Sequence, residues 1–153
     1  MANTYTQIYI HIIFVVEGRQ NIISNNFKEN LNKYITGIIQ NKGHKLIIIN
    51  GMPDHLHILL GLSPDESISE LVQQVKRCAT NFINENHYVV GKFRWQKGYA
   101  AFSYSKSNID KVYHYIKNQE IHHKKRNFRE EYIELLKKYD IKFDEKYIFE
   151  DVI

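Results

Sequence analysis

Two histidines separated by one residue are the first feature of this sequence that could do chemistry. His55 and His57 lie in the apolar run "HLHILLGL", directly after a Gly-Met-Pro-Asp turn. Side chains alternate along a β-strand, so both imidazoles should emerge on one side, about 7 Å apart, while Leu56 and Ile58 point to the other side. Two imidazoles at that spacing can bind one divalent metal ion.

The spacing alone is weak evidence for a metal site. The chain has 8 histidines among 153 residues, so a pair of this kind arises readily by chance. A buried imidazole without a hydrogen-bond partner costs about 1–3 kcal/mol, and a ligand role would remove that cost. Two histidines make only half of a coordination shell, so a third ligand is needed. A histidine-triad hydrolase would place another histidine two residues on, where this chain has Leu59.

The periodicity of the apolar residues predicts the elements that position the two histidines. Strands are predicted at 4–16, 44–50, 55–62 and 92–105, and helices from a Ser24 or Asn25 cap to Lys42, over 63–86, about 108–123 and about 128–139. The first six elements follow the order β-α-β-β-α-β, which is typical of an α+β fold, a ferredoxin-like antiparallel sheet with helices on one face. The C-terminal helices complete the chain.

Composition favours one domain in a reducing compartment. The chain is 43% hydrophobic, enough for a core without disulfides, and we predict a single domain over residues 1–153, with a core at 4–105 and a C-terminal part at 106–153. Cys78 is the only cysteine, which favours the cytoplasm. The apolar run near the N-terminus is too short to span a bilayer. The net charge of +4 permits an anionic partner without establishing one.

The segment "SNIDKVYHYIKNQEIHHKK" offers two tyrosines on one predicted helix. At 100° per residue, Tyr113 groups with Val112 and Ile116 on an apolar stripe, which predicts that it lies in the core. Tyr115 groups instead with polar side chains, among them Gln119 one turn on. Tyr115 is therefore the candidate nucleophile and Gln119 the candidate third ligand. The competing interpretation of Tyr115 is an exposed aromatic ring with a hydrated hydroxyl.

Three motifs together resemble one enzyme family. "MPDHLHILL", "WQKGYAAFSYS" and "YIKNQEIHHKK" occur in this order, and the likeness extends from the first strand to about Glu131. The combination is similar to the single-tyrosine HUH transposases of the 200/605-like insertion sequences, where HUH denotes His, hydrophobic, His. Conjugative relaxases, another HUH class, usually carry their tyrosines before the histidine motif, whereas Tyr115 follows it.

The resemblance implies a reaction and a partner. Members of the family cut and rejoin single-stranded DNA at the ends of their element through a 5′-phosphotyrosine. By matching motifs, His55, His57 and Gln119 would be metal ligands and Tyr115 the nucleophile. The implied metal is Mg²⁺, with Mn²⁺ able to substitute. The implied partners are DNA hairpins at the element ends and a second copy of the chain, in a homodimer whose active sites are shared between subunits.

Several further residues are candidates for roles around the metal site and in DNA binding. Asp54 and His122 are candidates to support the metal ligands from outside the first coordination shell. Basic side chains clustered around the tyrosine helix, together with nearby aromatic side chains, are candidates for DNA binding. They are Lys106, Lys111, Lys117, Lys124, Lys125, Arg126, Trp95, Tyr99, Phe102 and Tyr104.

Three other functions fit the same sequence. A domesticated relative would act on dispersed palindromic repeats rather than on its own element. A non-catalytic module would bind nucleic acid on its open sheet face, with no dependence on metal. A metal-dependent phosphoesterase would use water as the nucleophile, so replacing Tyr115 would have little effect.

Overall fold

A computed structural model describes residues 3–19, 22–119 and 127–144 of the chain. Its four strands and four principal helices follow one another in the predicted order. They are β1 (Tyr9–Val15), α1 (Lys28–Asn41), β2 (Lys45–Met52), β3 (His55–Gly61), α2 (Ile68–Glu85), β4 (Ala100–Tyr104), α3 (Ile109–Lys117) and α4 (Phe128–Lys138). Short 3₁₀ turns lie at Glu17–Arg19 and Lys106–Asn108.

The four strands form one antiparallel sheet in the order β2-β3-β1-β4. The predicted hairpin is confirmed, since β2 and β3 pair from Lys45↔Gly61 to Met52↔His55 across the Pro53-Asp54 turn. The predicted α+β, ferredoxin-like fold is confirmed by this order of strands and by the helices that cover the sheet. Strand β1 is central and places its residues beside both β3 and β4.

Several predicted boundaries are wrong. Strand β1 begins at Tyr9. The residues from Thr4 to Ile8 are exposed and outside the strand, although the carbonyl of Ile8 accepts a hydrogen bond from the amide of Leu62 at 2.7 Å. Strand β4 is only five residues long, and before it Gly98 has a φ of 86°, a left-handed conformation that interrupts an extended strand. Helix α1 has no side-chain cap; the backbone carbonyl of Ser24 instead accepts hydrogen bonds from the turn that leads into it.

The two faces of the sheet pack against different helices. Even-numbered residues of β1 and β3, such as Phe14 and Ile58, pack with α1 and α2 into the main hydrophobic core. Odd-numbered residues such as Ile13 and Leu59 face α3 and α4 in two smaller clusters. The alternation therefore directs the side chains of His55 and His57 toward the C-terminal helices, away from the main core.

No helix among residues 3–19, 22–119 and 127–144 is both long enough and apolar enough to cross a membrane.

A partly buried ionic cluster links the end of α1 to the segment before α2. Glu66 accepts hydrogen bonds from Lys42, just after α1, and from Nε2 of His44 at 2.8 Å. The amide of Ser63 donates to Nδ1 of His44 at 2.9 Å, which assigns the His44 proton to Nε2. Burial alone would raise the pKa of Glu66, but the hydrogen bonds from His44 and Lys42 and the lysine charge outweigh it, so the pKa is lowered.

The substitution Glu66→Gln is expected to lower the free energy of unfolding at pH 7 by about 1 kcal/mol. Because the folded pKa lies below 4.5, this contribution is complete above 4.5 and is lost as the pH falls through the folded value. Urea unfolding of both proteins at pH 7 and at low pH measures the difference. Glu29→Gln, which removes only an exposed pair with Lys33, is the control. A Glu66→Gln deficit that did not depend on pH would contradict the assignment.

Candidate active site

The two histidines of β3 lie side by side on the sheet face that α3 and α4 cover. His55 and His57 are 1% and 0% exposed, and their ring centroids are 5.0 Å apart. Leu56 and Ile58 belong to the main core on the opposite face, as the alternation predicted. The strand geometry expected from the sequence is confirmed, and each buried ring has a specific hydrogen-bond partner.

His55 is held by an acid and by an aromatic ring. Its Nδ1 lies 2.6 Å from Oδ1 of Asp54. The ring of Phe128, the first residue of α4, stacks on the imidazole with a centroid distance of 3.6 Å and an interplanar angle of 3°. Asp54 is itself anchored, since its carbonyl accepts a hydrogen bond from the amide of Val16 at 2.9 Å. These contacts fix the ring plane of His55 and engage Nδ1, so a metal would bind through Nε2.

His57 is held by a third histidine that the sequence analysis did not single out. Its Nδ1 lies 2.8 Å from Nε2 of His11, and the two rings stack with centroids 5.1 Å apart. His11 is fully buried, and loss of hydration lowers its pKa to about 3, so it is neutral near pH 7. The only signal in the sequence is that a histidine interrupts the apolar run of β1. Its position beside His57 depends on the β1–β3 register, which pairs Ile13 with His57.

Tyr115 on α3 faces the histidines. Its ring centroid lies 6.1 Å from that of His57, nearly perpendicular to it. The side-chain amide of Asn50 on β2 donates to the carbonyl of Ile116 at 2.7 Å, which ties this turn of α3 to the sheet. The structure therefore brings the candidate nucleophile to the candidate metal ligands within a single chain.

The predicted burial of Tyr113 in the core is wrong. Among the described residues, the apolar cluster beneath α3 contains Val112, Tyr115 and Ile116, whereas Tyr113 is half-buried and makes its ring contact with His114. At 100° per residue, Val112 and Ile116 lie between the two tyrosines on the helix circumference, so the helical period allows either tyrosine to pack inward. In the structure the inward side carries Tyr115 and the buried Gln119.

Gln119 lies one turn beyond Tyr115 and is fully buried. Its Nε2 donates to the carbonyl of Tyr115 at 3.2 Å and to Oε1 of Glu131 at 3.4 Å. Burial, together with the charge of Asp54, raises the pKa of Glu131 to about 8. Glu131 is therefore a further polar member of the site, from α4, and no sequence signal distinguishes it from the neighbouring glutamates of that helix.

A cavity of about 440 Å³ opens beside the candidate nucleophile. Tyr115 and Glu131 line it together with Tyr104, Lys111, Val112, Glu134, Leu135 and Lys138. The two lysines supply positive charge at its wall. Burial first, and then a hydrogen bond and charge from Tyr139, raise the pKa of Tyr104, so this second tyrosine keeps its proton.

The remaining predicted DNA-binding residues lie in several places. Lys106, Lys111 and Lys117 are exposed along the segment that holds α3. Tyr99 is 37% exposed and hydrogen-bonded to Ser69, whereas Phe102 is buried and stacks on Tyr139. Lys124, Lys125 and Arg126, also predicted to bind DNA, lie outside the described part of the chain, as does His122, the candidate to support the metal ligands.

A second groove is lined by basic side chains that were not among the predicted DNA-binding residues. It has a volume of about 380 Å³ and lies between α2 and the segment before β4. Trp95 lines it, but packs edge-on against Phe14 and Phe93. The basic side chains of the groove are Lys76, Arg77, Arg94 and Lys97. Because these cations are separated by up to 21 residues in sequence, only the folded chain shows that they form one surface.

Two imidazoles and an amide are a donor set whose chemistry suits a divalent metal ion. Within the described ranges, no three side chains of the types His, Cys, Asp and Glu are arranged to hold a metal ion. His55 and His57 would each contribute Nε2, and Gln119 its amide oxygen, since its nitrogen donates to Tyr115 and Glu131. Such a site retains positions for water and for a phosphate oxygen.

Comparison with known proteins places these features in a family context. A sequence model described as "Transposase IS200 like" matches residues 4–119. The ISDra2 transposase TnpA of Deinococcus radiodurans is 24% identical over 118 residues, which cover 74% of this chain and 84% of that protein.

Two solved structures share the fold. A crystal structure from Deinococcus radiodurans R1, described as a transposase, is 22% identical, covers 76% of this chain and 94% of its own, and has a TM-score of 0.60. The structure of a REP-associated tyrosine transposase bound to a REP hairpin is 14% identical, covers 79% of this chain and 72% of its own, and has a TM-score of 0.62.

Proposed function

Because the chain belongs to the family of IS200-like transposases, we propose that it cuts and rejoins single-stranded DNA through a covalent bond between Tyr115 and a 5′-phosphate. The observation that carries the proposal is the approach of Tyr115 to His57, with ring centroids 6.1 Å apart, next to His55 and Gln119. A tyrosine beside a pair of imidazoles is the arrangement that a metal-assisted attack on phosphorus needs.

A divalent cation is part of the proposal, with Mg²⁺ as the metal and Mn²⁺ able to replace it. His55, His57 and Gln119 would hold the ion. When bound, it would neutralise charge on the non-bridging phosphate oxygens and stabilise the leaving oxygen. Because imidazoles alone favour softer metals, selectivity for Mg²⁺ would depend on the phosphate and water oxygens that complete the shell.

The chain's own residues perform the covalent step. The phenol oxygen of Tyr115 attacks phosphorus and loses its proton, the bond from phosphorus to the 3′ oxygen breaks, and that oxygen leaves as a protonated hydroxyl. The number of phosphoester bonds is conserved, so the 3′-hydroxyl of another strand can reverse the step without ATP. Lys111 and Lys138, on the wall of the cavity next to Tyr115, would bind the flanking phosphates.

The substrate in this proposal is a DNA hairpin within a single strand at the end of the element. The structural neighbour bound to a REP hairpin supports a hairpin as ligand. We further propose a homodimer, although the closeness of Tyr115 and His57 in one chain supports a site in which the tyrosine serves its own histidines. A non-catalytic or domesticated protein that recognises palindromic hairpins is the alternative.

Incubation of the full chain with single-stranded DNA from both flanks of its gene tests the proposal. With Mg²⁺ we expect a protein–DNA adduct that survives denaturation, and none with chelator or with the same DNA as a duplex. Salt-sensitive binding without cleavage would replace the proposal with the non-catalytic alternative.

The groove between α2 and the segment before β4 is expected to bind DNA phosphates. The double substitution Arg77→Ala and Arg94→Ala removes two exposed cations that line it. The logarithm of the DNA association constant decreases linearly with the logarithm of the salt concentration. The steepness of that decrease should become smaller by about 1.5, since each lost phosphate contact contributes about 0.7 to 0.9. Fluorescence anisotropy with a labelled hairpin at several salt concentrations measures this. Lys33→Ala, on the exposed side of α1, is the control, and an unchanged slope for the double variant would exclude the groove.

A further inference from the structure

His11 occupies a position where an apolar residue would ordinarily pack. It lies on the central strand β1, is fully buried, and has the rings of Phe102 and Tyr104 at centroid distances of 6.1 and 6.2 Å. Its Nδ1 has no hydrogen-bond partner among the described residues. A buried polar atom of that kind costs free energy, so stability alone does not account for an imidazole at this position.

The contact that does use the imidazole is the one with His57. Nε2 of His11 lies 2.8 Å from Nδ1 of His57, and the rings stack at 5.1 Å with an interplanar angle of 22°. One nitrogen of this pair must donate and the other must accept. The bond therefore restrains the plane of the His57 ring and couples the tautomer of His57 to that of His11.

A neutral imidazole that binds a metal through Nε2 has its proton on Nδ1. For His57, that N–H would point at Nε2 of His11, which then accepts, while Nδ1 of His11 keeps the His11 proton. His55 has an equivalent support, because its Nδ1 lies 2.6 Å from Asp54. Two neighbouring ligands would thus have different partners, a carboxylate for His55 and a neutral imidazole for His57.

We infer that His11 is a positioning residue for His57, which it holds in the tautomer and orientation needed to bind a metal ion through Nε2. This inference rests on the proposed metal site. A neutral partner adds no negative charge next to the ion, so the site would keep more net positive charge than one supported by two carboxylates. That charge favours an incoming phosphate.

Mn²⁺ binding to the full chain, measured by isothermal titration calorimetry, tests the inference. His11→Leu removes the acceptor and should weaken Mn²⁺ binding by about 10- to 100-fold. His11→Gln places an amide oxygen near the position of Nε2, so it should retain most of the affinity. In a His57→Ala background, His11→Leu should weaken Mn²⁺ binding no further, because His11 acts through His57.

His44 provides a matched control, since it is also a buried, hydrogen-bonded histidine but lies in the Lys42–Glu66 cluster. His44→Leu should lower the melting temperature without changing Mn²⁺ affinity. The inference would be overturned if folded His11→Leu bound Mn²⁺ as tightly as the wild type. It would also be overturned if His11→Gln lost as much Mn²⁺ affinity as His11→Leu. Failure of the proposed metal site is a separate result, in which the wild type does not bind Mn²⁺ at all.

Discussion

Replacing Tyr115 by phenylalanine is expected to abolish the covalent protein–DNA adduct and to lower the rate of cleavage by about 10⁴-fold or more. The substitution removes one oxygen atom and leaves the ring that packs against Val112 and Ile116. Affinity for the uncut hairpin should therefore stay near that of the wild type. Denaturing gel electrophoresis of labelled DNA measures the adduct, and anisotropy measures binding.

Tyr113→Phe is the matched control for this experiment. It makes the same chemical change two residues earlier on α3, at a ring whose contact is with His114. Its adduct should equal that of the wild type. An adduct of equal yield from Tyr115→Phe would show that another residue attacks the DNA. Metal-dependent cleavage with no adduct, unaffected by Tyr115→Phe, would instead identify a phosphoesterase that uses water.

The second large effect is expected from His57→Ala, which removes one of the two imidazoles at the proposed metal site. Charge stabilisation by a bound cation contributes several kcal/mol to a transition state, so cleavage should fall by about 10³-fold. Single-turnover cleavage at saturating Mg²⁺, together with Mn²⁺ titration, measures the loss. Hairpin binding in chelator should not change, because the proposed phosphate contacts are made by lysines and arginines.

His44→Ala controls for the general cost of removing a buried histidine, since the His44 ring lies in the ionic cluster with Glu66. It should reduce stability while leaving cleavage per folded molecule intact. A His57→Ala protein that cleaved at the wild-type rate would rule out this residue as a metal ligand.

The local pattern of β3 was sufficient to predict that the histidine pair shares one face of the sheet. A period of two residues is a property of any extended chain, so "HLHILLGL" was enough to place His55 and His57 on one face and Leu56 and Ile58 on the other. The same reasoning predicted the order of the elements and hence the ferredoxin-like sheet. Helical period was less decisive, because Val112 and Ile116 lie between Tyr113 and Tyr115 on α3. Only the packing of α3 on the sheet showed that Tyr115 is the tyrosine that faces His57.

Partners of the candidate ligands come from segments far away in the chain. His11 reaches His57 because the register of β1 against β3 places them diagonally, and hydrogen bonds between strands 46 residues apart set that register. Glu131 meets Gln119 because α4 packs back over the sheet, with Phe128 stacked on His55. The sequence established which side chains share a face of each element, since that follows from backbone geometry. Which faces meet depends on long-range packing. Packing alone brought His11 to His57, brought Glu131 to Gln119, and formed the groove between α2 and the segment before β4.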